Sequence, residues 1–581
     1  MVRYFSKAGV GIIEFNDPDS KVNVLSAANL GDLEQILSDI SSANRNISAL
    51  FFMSSKKDMF VAGADIKELA SISSKDEALK LCAKGQDICN RIEQLPMPTF
   101  AVVDGACIGG GLELGLSCDY ILATPNKKVK IGFPETRFEI SPGFGGVHRL
   151  KEKIGRKKAE RLIRTGQLLS ALEAKKANIV DKIIPEKIAR EYEALSGFSG
   201  WRKRAISEPR HQLDEEERGI LAEKITQEPA RNALAAFLLA SRYKNRIPKE
   251  NAGREILRRC AVIGAGAMGR DIAYLISLET GMEVGITDIN RAVLKTAGSY
   301  IKSIYRDAVK RHMLSRSEAS QRFKRISFSK LHLEDCDLVI ECIAEDPQLK
   351  KQLFAKIEKM VHGDCIIATN TSCLSIEGFG PCLGRPERFI GIHFFNPAYK
   401  MKLVEVTPGS LTDRRVLDKV NIFLQSMRRV PVTVKDSPGF LVNRMLLPYL
   451  NEAVFMVEEG YSILDIDSAM LGFGMPKGPI DLLEDIGLEV AYKASRILED
   501  RSGGRIRVSG IFGLWAEAKR ILPAKQIRKA DGSYIAQRLL GPMKKEAELC
   551  LKEGIAVSRE IIDLALLLGS GFPASKRIWD I

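Results

Sequence analysis

Residues 258–288 read RRCAVIGAGAMGRDIAYLISLETGMEVGITD, and the rest of the chain is best read outward from them. CAVI is a short β-rich run feeding Gly264-Ala-Gly266-Ala-Met-Gly269. DIAYLISL then has helical apolar spacing, and MEVGIT is a second β-rich run that ends at Asp288, 24 residues after Gly264. Strand, glycine turn, helix, strand and acid together follow the physical logic of a dinucleotide site. Gly264 permits the tight turn, Gly266 lets the backbone approach a pyrophosphate, and Gly269 lets helix and strand pack closely. The helix N-terminus adds free N–H groups and a positive dipole end. Asp288 can hold both ribose hydroxyls and would repel a 2′-phosphate, so NAD is expected over NADP. The glycines alone fit a turn without a ligand equally well; the flanking strand, helix and acid favour the nucleotide.

Around this stretch, residues 258–435 carry further β-rich runs, DLVIECIA, CIIATN and RFIGIHFF, mostly separated by helical stretches. That is the rhythm of a parallel sheet with crossover helices. Residues 436–581 turn helical and contain an internal repeat. Arg444-x-Leu446-x-Pro448, Glu452-Ala453 and Glu459-Gly460 recur as Arg538-x-Leu540-x-Pro542, Glu546-Ala547 and Glu553-Gly554. Gly472 to Pro476 has a weaker echo at Gly569 to Pro573. Upstream, residues 186–257 are charge-rich and helical, and read as a linker punctuated by Pro248 and Gly253. Residues 1–185 alternate strands (VGIIEF, ALFFMSS, PTFAVVDG) with helices such as AANLGDLEQILSDI. The expected architecture is multidomain α/β.

The chain of 581 residues is 45% hydrophobic and 28% charged, ordinary globular usage that excludes a disordered or collagen-like chain. No window approaches the roughly 20 apolar residues of a membrane span. The N-terminus runs straight into an alternating pattern without a secretory h-region. Eleven scattered cysteines, with no C-x-x-C pair, fit free thiols in a reducing compartment and no metal site. A soluble, cytoplasmic protein is expected. The net charge of +14 is spread along the chain, without a basic arm or nucleic-acid motif, so no nucleic-acid partner is expected.

Two sets of polar residues stand out. His393 in RFIGIHFFNP ends one strand-like run and Glu405 in KLVEVT ends the next, so the two could face each other across neighbouring strand ends. A carboxylate beside an imidazole raises its pKa and fixes its tautomer, which makes a general base. A lone His among Phe and Ile is otherwise a core residue. Asn396, Ser372 and Asn443 lie near glycine or proline turns, where singly each reads as a cap. In the N-terminal part, Phe60-Val-Ala-Gly63-Ala64-Asp65 follows a strand. Gly109-Gly110-Gly111 precedes a helix with Glu113 in its first turn, and Pro134-Glu135 precedes another glycine-rich turn. Two N–H groups from such turns can form an oxyanion hole, and two carboxylates can share acid and base roles. The plain alternative is a first-turn helix acid and a packing turn.

GAGAMG, Asp288, IECIAED, ATNTS, GIHFFNP, MKLVEV and DSPGFLVNR occur in order, and together they resemble a 3-hydroxyacyl-CoA dehydrogenase. The resemblance implies that His393 removes the 3-hydroxyl proton, that Glu405 orients it, and that Ser372 and Asn443 hold the substrate oxygen or its neighbourhood, with Asn396 in support. Beside the glycines, Met268, Asp288, Ala344, Glu345 and Lys350 match positions lining the NAD site. Cys373 stands where that family commonly has a second serine. Residues 1–185 resemble the crotonase family, in particular the enoyl-CoA hydratases. That implies an oxyanion hole from the N–H groups of Ala64 and Gly110, and water activated and delivered by Glu113 and Glu135. Both acids favour hydratase, with isomerase activity as a secondary function. GGVHRL replaces the usual GGTQRL.

In sequence, then, the resemblance implies a crotonase-like domain (1–185), a helical linker (186–257), a Rossmann NAD-binding domain (258–435) and an all-α dehydrogenase domain (436–581) of two modules, the second truncated. Hydratase followed by dehydrogenase resembles the bifunctional enzymes of fatty-acid β-oxidation. Acyl-CoA substrates, a 3-ketoacyl-CoA thiolase subunit and self-association are the partners this implies. Two other readings remain: a binding scaffold without catalysis, and a single-activity enzyme with one half disabled. The intact carboxylate and His–Glu pairs argue against the scaffold.

Overall fold

The computed structural model describes residues 2–18, 20–42, 47–204, 211–244, 257–311, 313–328, 332–522 and 528–581. The expected linker breaks Pro248 and Gly253 lie outside the described residues. The chain divides into two compact units, Met1–Leu238 and Leu239–Ile581.

The first unit holds two sheets. The larger has the order β1-β2-β3-β5-β7-β9 and the smaller β4-β6-β8. In chain order the strands are β1 (Val2–Lys7), β2 (Val10–Phe15), β3 (Leu50–Ser54), β4 (Asp58–Val61), β5 (Thr99–Val103), β6 (Gly105–Ile108), β7 (Tyr120–Ala123), β8 (Lys130–Gly132) and β9 (Lys182–Ile183). β1 and β2 form an antiparallel hairpin, and every other pairing is parallel. PTFAVVDGACI, read from sequence as one strand and a turn, is two strands in different sheets, parted at Asp104. The step depends on Gly105, where a Cβ would lie 1.9 Å from the Asp58 carbonyl carbon. Gly105 therefore lets β6 close against β4. The linker region also contributes here: the His211–Ile225 helix buries Leu221, Ala222 and Ile225 against Leu69, Ala78, Cys82 and Ile140.

The second unit begins with an eight-stranded sheet, order β12-β11-β10-β13-β14-β15-β16-β17. Its strands are β10 (Arg259–Ile263), β11 (Glu283–Thr287), β12 (Ile326–Ser327), β13 (Leu338–Glu341), β14 (Ile366–Thr369), β15 (Phe389–Phe394), β16 (Leu403–Pro408) and β17 (Val430–Thr433). All pairings are parallel except β15 with β16. From Val442 onward the described chain is helical. Here the Val442–Glu458 and Gly532–Lys552 helices pack on each other, each with an internal proline, Pro448 or Pro542. Their ion pairs are reciprocal. Arg444 of the first reaches Glu546 (3.1 Å) and Glu553 (2.8 Å), and Arg538 of the second reaches Glu452 (2.8 Å) and Glu459 (2.6 Å). Among the described residues no helix is long and apolar enough to cross a membrane.

Candidate active sites

The first site lies at the C-terminal ends of the three strands of the small sheet. β4 runs into Gly63 and Ala64, β6 into Gly109 and the Gly110–Ser117 helix, and β8 into Pro134 and Glu135. Parallel strands leave their connecting turns at one end, so three turns distant in sequence converge. Gly109 has φ +56°, which favours glycine, and a Cβ there would sit 2.7 Å from Glu135 Oε1 and displace that carboxyl. A Cβ at Gly110 would lie 3.4 Å from the Ala64 nitrogen, so the two residues border one space. The Gly110 N–H opens a helix and has no intrahelical acceptor. Ala64, Gly110, Glu113 and Glu135 line a single cavity, open to solvent, with Leu81, Phe138 and Ile140 on its apolar wall.

Glu113 is buried, and its Oε1 accepts the N–H groups of Phe144 (2.7 Å) and Gly146 (2.9 Å). Burial, then the charge of Glu217, pushes its pKa up to about 8. Burial, then the charge of Glu113, holds the Glu135 carboxyl well above the usual carboxylate range, and among the described residues its Oε2 has no hydrogen-bond partner. Crowded buried carboxyls cannot all ionise at neutral pH. The two N–H donors favour the anion at Glu113; Glu135, without donors at Oε2, is the natural holder of a proton. Sequence reading missed Glu217, whose Oε1 accepts the Gly145 N–H at 2.8 Å.

The second site stands on the one antiparallel pairing in the larger unit's sheet. His393 on β15 lies directly opposite Glu405 on β16, so both side chains share a face. His393 Nδ1 is 2.7 Å from Glu405 Oε2. The other Glu405 oxygen accepts the N–H groups of Leu441 (3.1 Å) and Val442 (2.8 Å), where the Val442–Glu458 helix begins. The positive end of that helix favours a carboxylate there. The rings of Phe395 and Phe440 flank His393 at 4.5 and 5.8 Å. Asn443, in the same helix turn, donates to the Ser372 carbonyl at 3.1 Å. Ser372 in turn donates N–H (2.8 Å) and Oγ–H (3.2 Å) to Glu345 Oε1. Burial raises the Glu345 pKa, but the Lys350 ammonium and the Thr371, Ser372 and Cys373 donors outweigh it, and the net shift is downward. Asn396 is exposed, ahead of a cis Pro397, and is not drawn into this network.

The residues of the glycine turn fit NAD. A Cβ at Gly264 would meet the Cys342 carbonyl oxygen at 2.5 Å, and one at Gly269 would meet the Gly264 carbonyl oxygen at 1.8 Å. At Gly266 nothing lies within 4 Å, so the backbone there faces open space that a pyrophosphate can approach. Asp288 accepts the N–H groups of Ala265 (2.8 Å) and Asn290 (2.8 Å), which hold its carboxylate beside the turn. Met268 is half-buried and Ala344 exposed. Lys350 is buried, its ammonium 2.7 Å from the fully buried Glu341 and 3.3 Å from Glu345. It reaches the site through Glu345. Glu341 lies in the quoted IECIAED stretch but received no role in sequence, being one acid in an apolar run. Among the described residues no group of three or more His, Cys, Asp or Glu could hold a metal ion.

Family models match in the same order as the two sites. Enoyl-CoA hydratase/isomerase matches residues 6–227. The NAD-binding domain of 3-hydroxyacyl-CoA dehydrogenase matches 259–437, and the C-terminal domain of that enzyme matches 439–522. A fatty acid oxidation complex subunit alpha from Vibrio parahaemolyticus is 29% identical over 631 aligned residues, covering 96% of this chain and 90% of the relative. Among solved structures, (S)-3-hydroxybutyryl-CoA dehydrogenase from Ralstonia eutropha is 31% identical over 47% of this chain and 100% of that one, with TM-score 0.44. The 3-hydroxybutyryl-CoA dehydrogenase of Escherichia coli K12 is 24% identical over 55% of this chain and 90% of its own, with TM-score 0.48. With a hydratase/isomerase domain followed by both dehydrogenase domains, the chain belongs to the bifunctional enzymes of fatty-acid β-oxidation, hydrating 2-enoyl-CoA and oxidising the product with NAD.

Proposed function

We propose specific roles for the residues of both sites. In the first, the Ala64 and Gly110 N–H groups bind the thioester oxygen and stabilise the charge that develops on it. Glu113, with Oε1 tied to two N–H groups, uses its other oxygen to take a proton from water as that water adds to C3. Glu135 gives its proton to C2. In the second, His393 Nε2 takes the proton of the 3-hydroxyl, while Glu405 holds the Nδ1–H tautomer and stabilises the imidazolium. Ser372 and Asn443 position the substrate oxygen, and Asp288 with the Gly264–Gly269 turn holds the cofactor. What NAD supplies when bound is the acceptor for the hydride from C3.

One observation carries the first assignment: the carboxyl-bearing Glu113 and Glu135 and the turn residues Ala64 and Gly110 line one cavity. The test is coupled turnover of crotonyl-CoA with NAD by wild type and Glu135→Gln. Hydration by the variant should fall by at least ~10²-fold, the size of a positioned acid or base effect, with NADH formation from 3-hydroxybutyryl-CoA unchanged. Near-normal hydration would remove Glu135 from the mechanism.

The product, a 3-oxoacyl-CoA, is a substrate for thiolytic cleavage, and the Vibrio relative is the subunit of a complex. We infer a thiolase partner, to be sought by co-purification from native extract. Eleven free cysteines support placement in the reducing cytoplasm.

A further inference from the structure

The turn from Gly143 to His148 is gripped by two carboxylates in alternation. Phe144 and Gly146 give their N–H groups to Glu113. Gly145 (2.8 Å) and Val147 (3.1 Å) give theirs to the two oxygens of Glu217, on the His211–Ile225 helix. Gln86 fixes the other side, donating to the carbonyls of Gly143 (3.0 Å) and Asp214 (2.8 Å). One helical turn beyond Glu217, Leu221 lines the hydratase cavity and lies 2.6 Å from where a Gly143 Cβ would be. One face of this helix therefore supplies both a clamp on the turn and part of the wall.

A plainer role is available. Gly145 is the N-cap of the Gly146–Ile154 helix and provides no side-chain cap, so Glu217 could serve only as a cap from outside. A neutral acceptor would do that work. Instead the acceptor is a nearly fully buried carboxylate whose charge also bears on Glu113, which a neutral cap would not do.

We propose that Glu217 is a positioning residue of the hydratase: by taking the Gly145 and Val147 N–H groups, it fixes the turn whose remaining N–H groups orient Glu113. The proposal rests on Glu113 being the base that activates water. The charge of Glu217 also bears on Glu113. Burial and then Glu217 raise the Glu113 pKa, and burial raises that of Glu217 to about 7. The other titratable or charged groups packed around the pair are Glu135, Cys82, Glu93, Arg149, His148, Asp214 and Arg218. Arg149 is paired with Glu93, and His148 lies between Asp214 (Nε2, 3.4 Å) and Glu217 itself (Nδ1, 3.5 Å). Removing the Glu217 charge should let Glu113 lose its proton at lower pH.

The test compares Glu217→Gln, Glu217→Asp and Glu113→Gln in the full chain. Crotonyl-CoA hydration is followed from pH 6 to pH 10, with NADH formation from 3-hydroxybutyryl-CoA and a thermal melt on each sample. Glu217→Gln should lower hydration kcat by ~10-fold to ~10²-fold, as misplacement of a reacting group does, with KM changed less than ~3-fold. The rising limb of its pH profile should move to lower pH. Glu217→Asp, which keeps the charge, should lose kcat with the limb in place. Unchanged kcat in Glu217→Gln overturns the proposal, and so does a loss that merely follows the melt with the limb unmoved. If Glu217→Gln does not fold, wild-type kcat in Glu217→Asp overturns it. Normal hydration by Glu113→Gln would instead sink the reading of Glu113 itself, whatever Glu217 does.

Discussion

His393 has one ring nitrogen committed to Glu405, and among the described residues no partner for the other. The rings of Phe395 and Phe440 are also what surrounds a core histidine, and two variants tell a core residue from a base. If His393 is the base, His393→Gln should keep its melting temperature and NAD binding and lose ~10²-fold or more in oxidation, with hydration intact. Glu405→Gln should also slow oxidation, because the imidazole loses the group that fixes its tautomer. The double variant should be little worse than His393→Gln alone, since residues acting as a unit are non-additive. NADH formation from 3-hydroxybutyryl-CoA beside each melt decides this; rate loss that only follows unfolding favours the core residue. At this scale turn chemistry marked Ser372, Asn396 and Asn443 in sequence; the structure brings Ser372 and Asn443 together and leaves Asn396 exposed and apart. Glu217 carried no such mark. It is the last of four successive acids, Asp214 to Glu217, of which Asp214 and Glu217 turn inward, and the run itself does not single them out.

The Gly264–Gly269 turn makes a prediction that belongs to the element and not to any one side chain. Gly266→Ala adds a methyl where nothing lies within 4 Å, so the fold should stand and its melt should match wild type. The methyl would enter the space of the pyrophosphate, so KM for NAD should rise, by ~10-fold or more for ~1.4 kcal/mol of lost binding. Gly269→Ala has the opposite problem, because its methyl would meet a carbonyl oxygen at 1.8 Å and break helix against strand. That variant should lose thermal stability before it loses affinity. Equal melts for the two would refute the division of labour between the glycines. Strands β10, β11, β13, β14 and β15 were readable as short β-rich runs. β6 was not, because GACI is too short and too small-sided to part from PTFAVV. The antiparallel pairing of β15 with β16 was also hidden, since alternation in sequence carries no direction.

For the molecule as a whole, the order of chemistries was legible, because each half carries several motifs in sequence order. What the sequence could not show was the way its helical end is locked. Arg444 and Glu546 are both almost fully buried, and Glu546→Gln takes one of the two carboxylate partners from a buried guanidinium, leaving Glu553. Breaking a buried pair outright costs about 3–5 kcal/mol, so a denaturant melt should show a fall of up to that order. A fall under ~1 kcal/mol would mean that Glu553 and Ser437 suffice to hold Arg444. The same arrangement has a consequence for dilution. Arginine of the first helix on glutamates of the second, and the converse, is the pattern of a two-fold self-association between identical subunits. Here both partners are tethered on one polypeptide, so mass action does not govern the contact: its effective concentration is set by the tether and not by the number of molecules in solution. The stability lost in Glu546→Gln should therefore be the same at nanomolar and micromolar protein, where a contact between separate chains would weaken with every tenfold dilution.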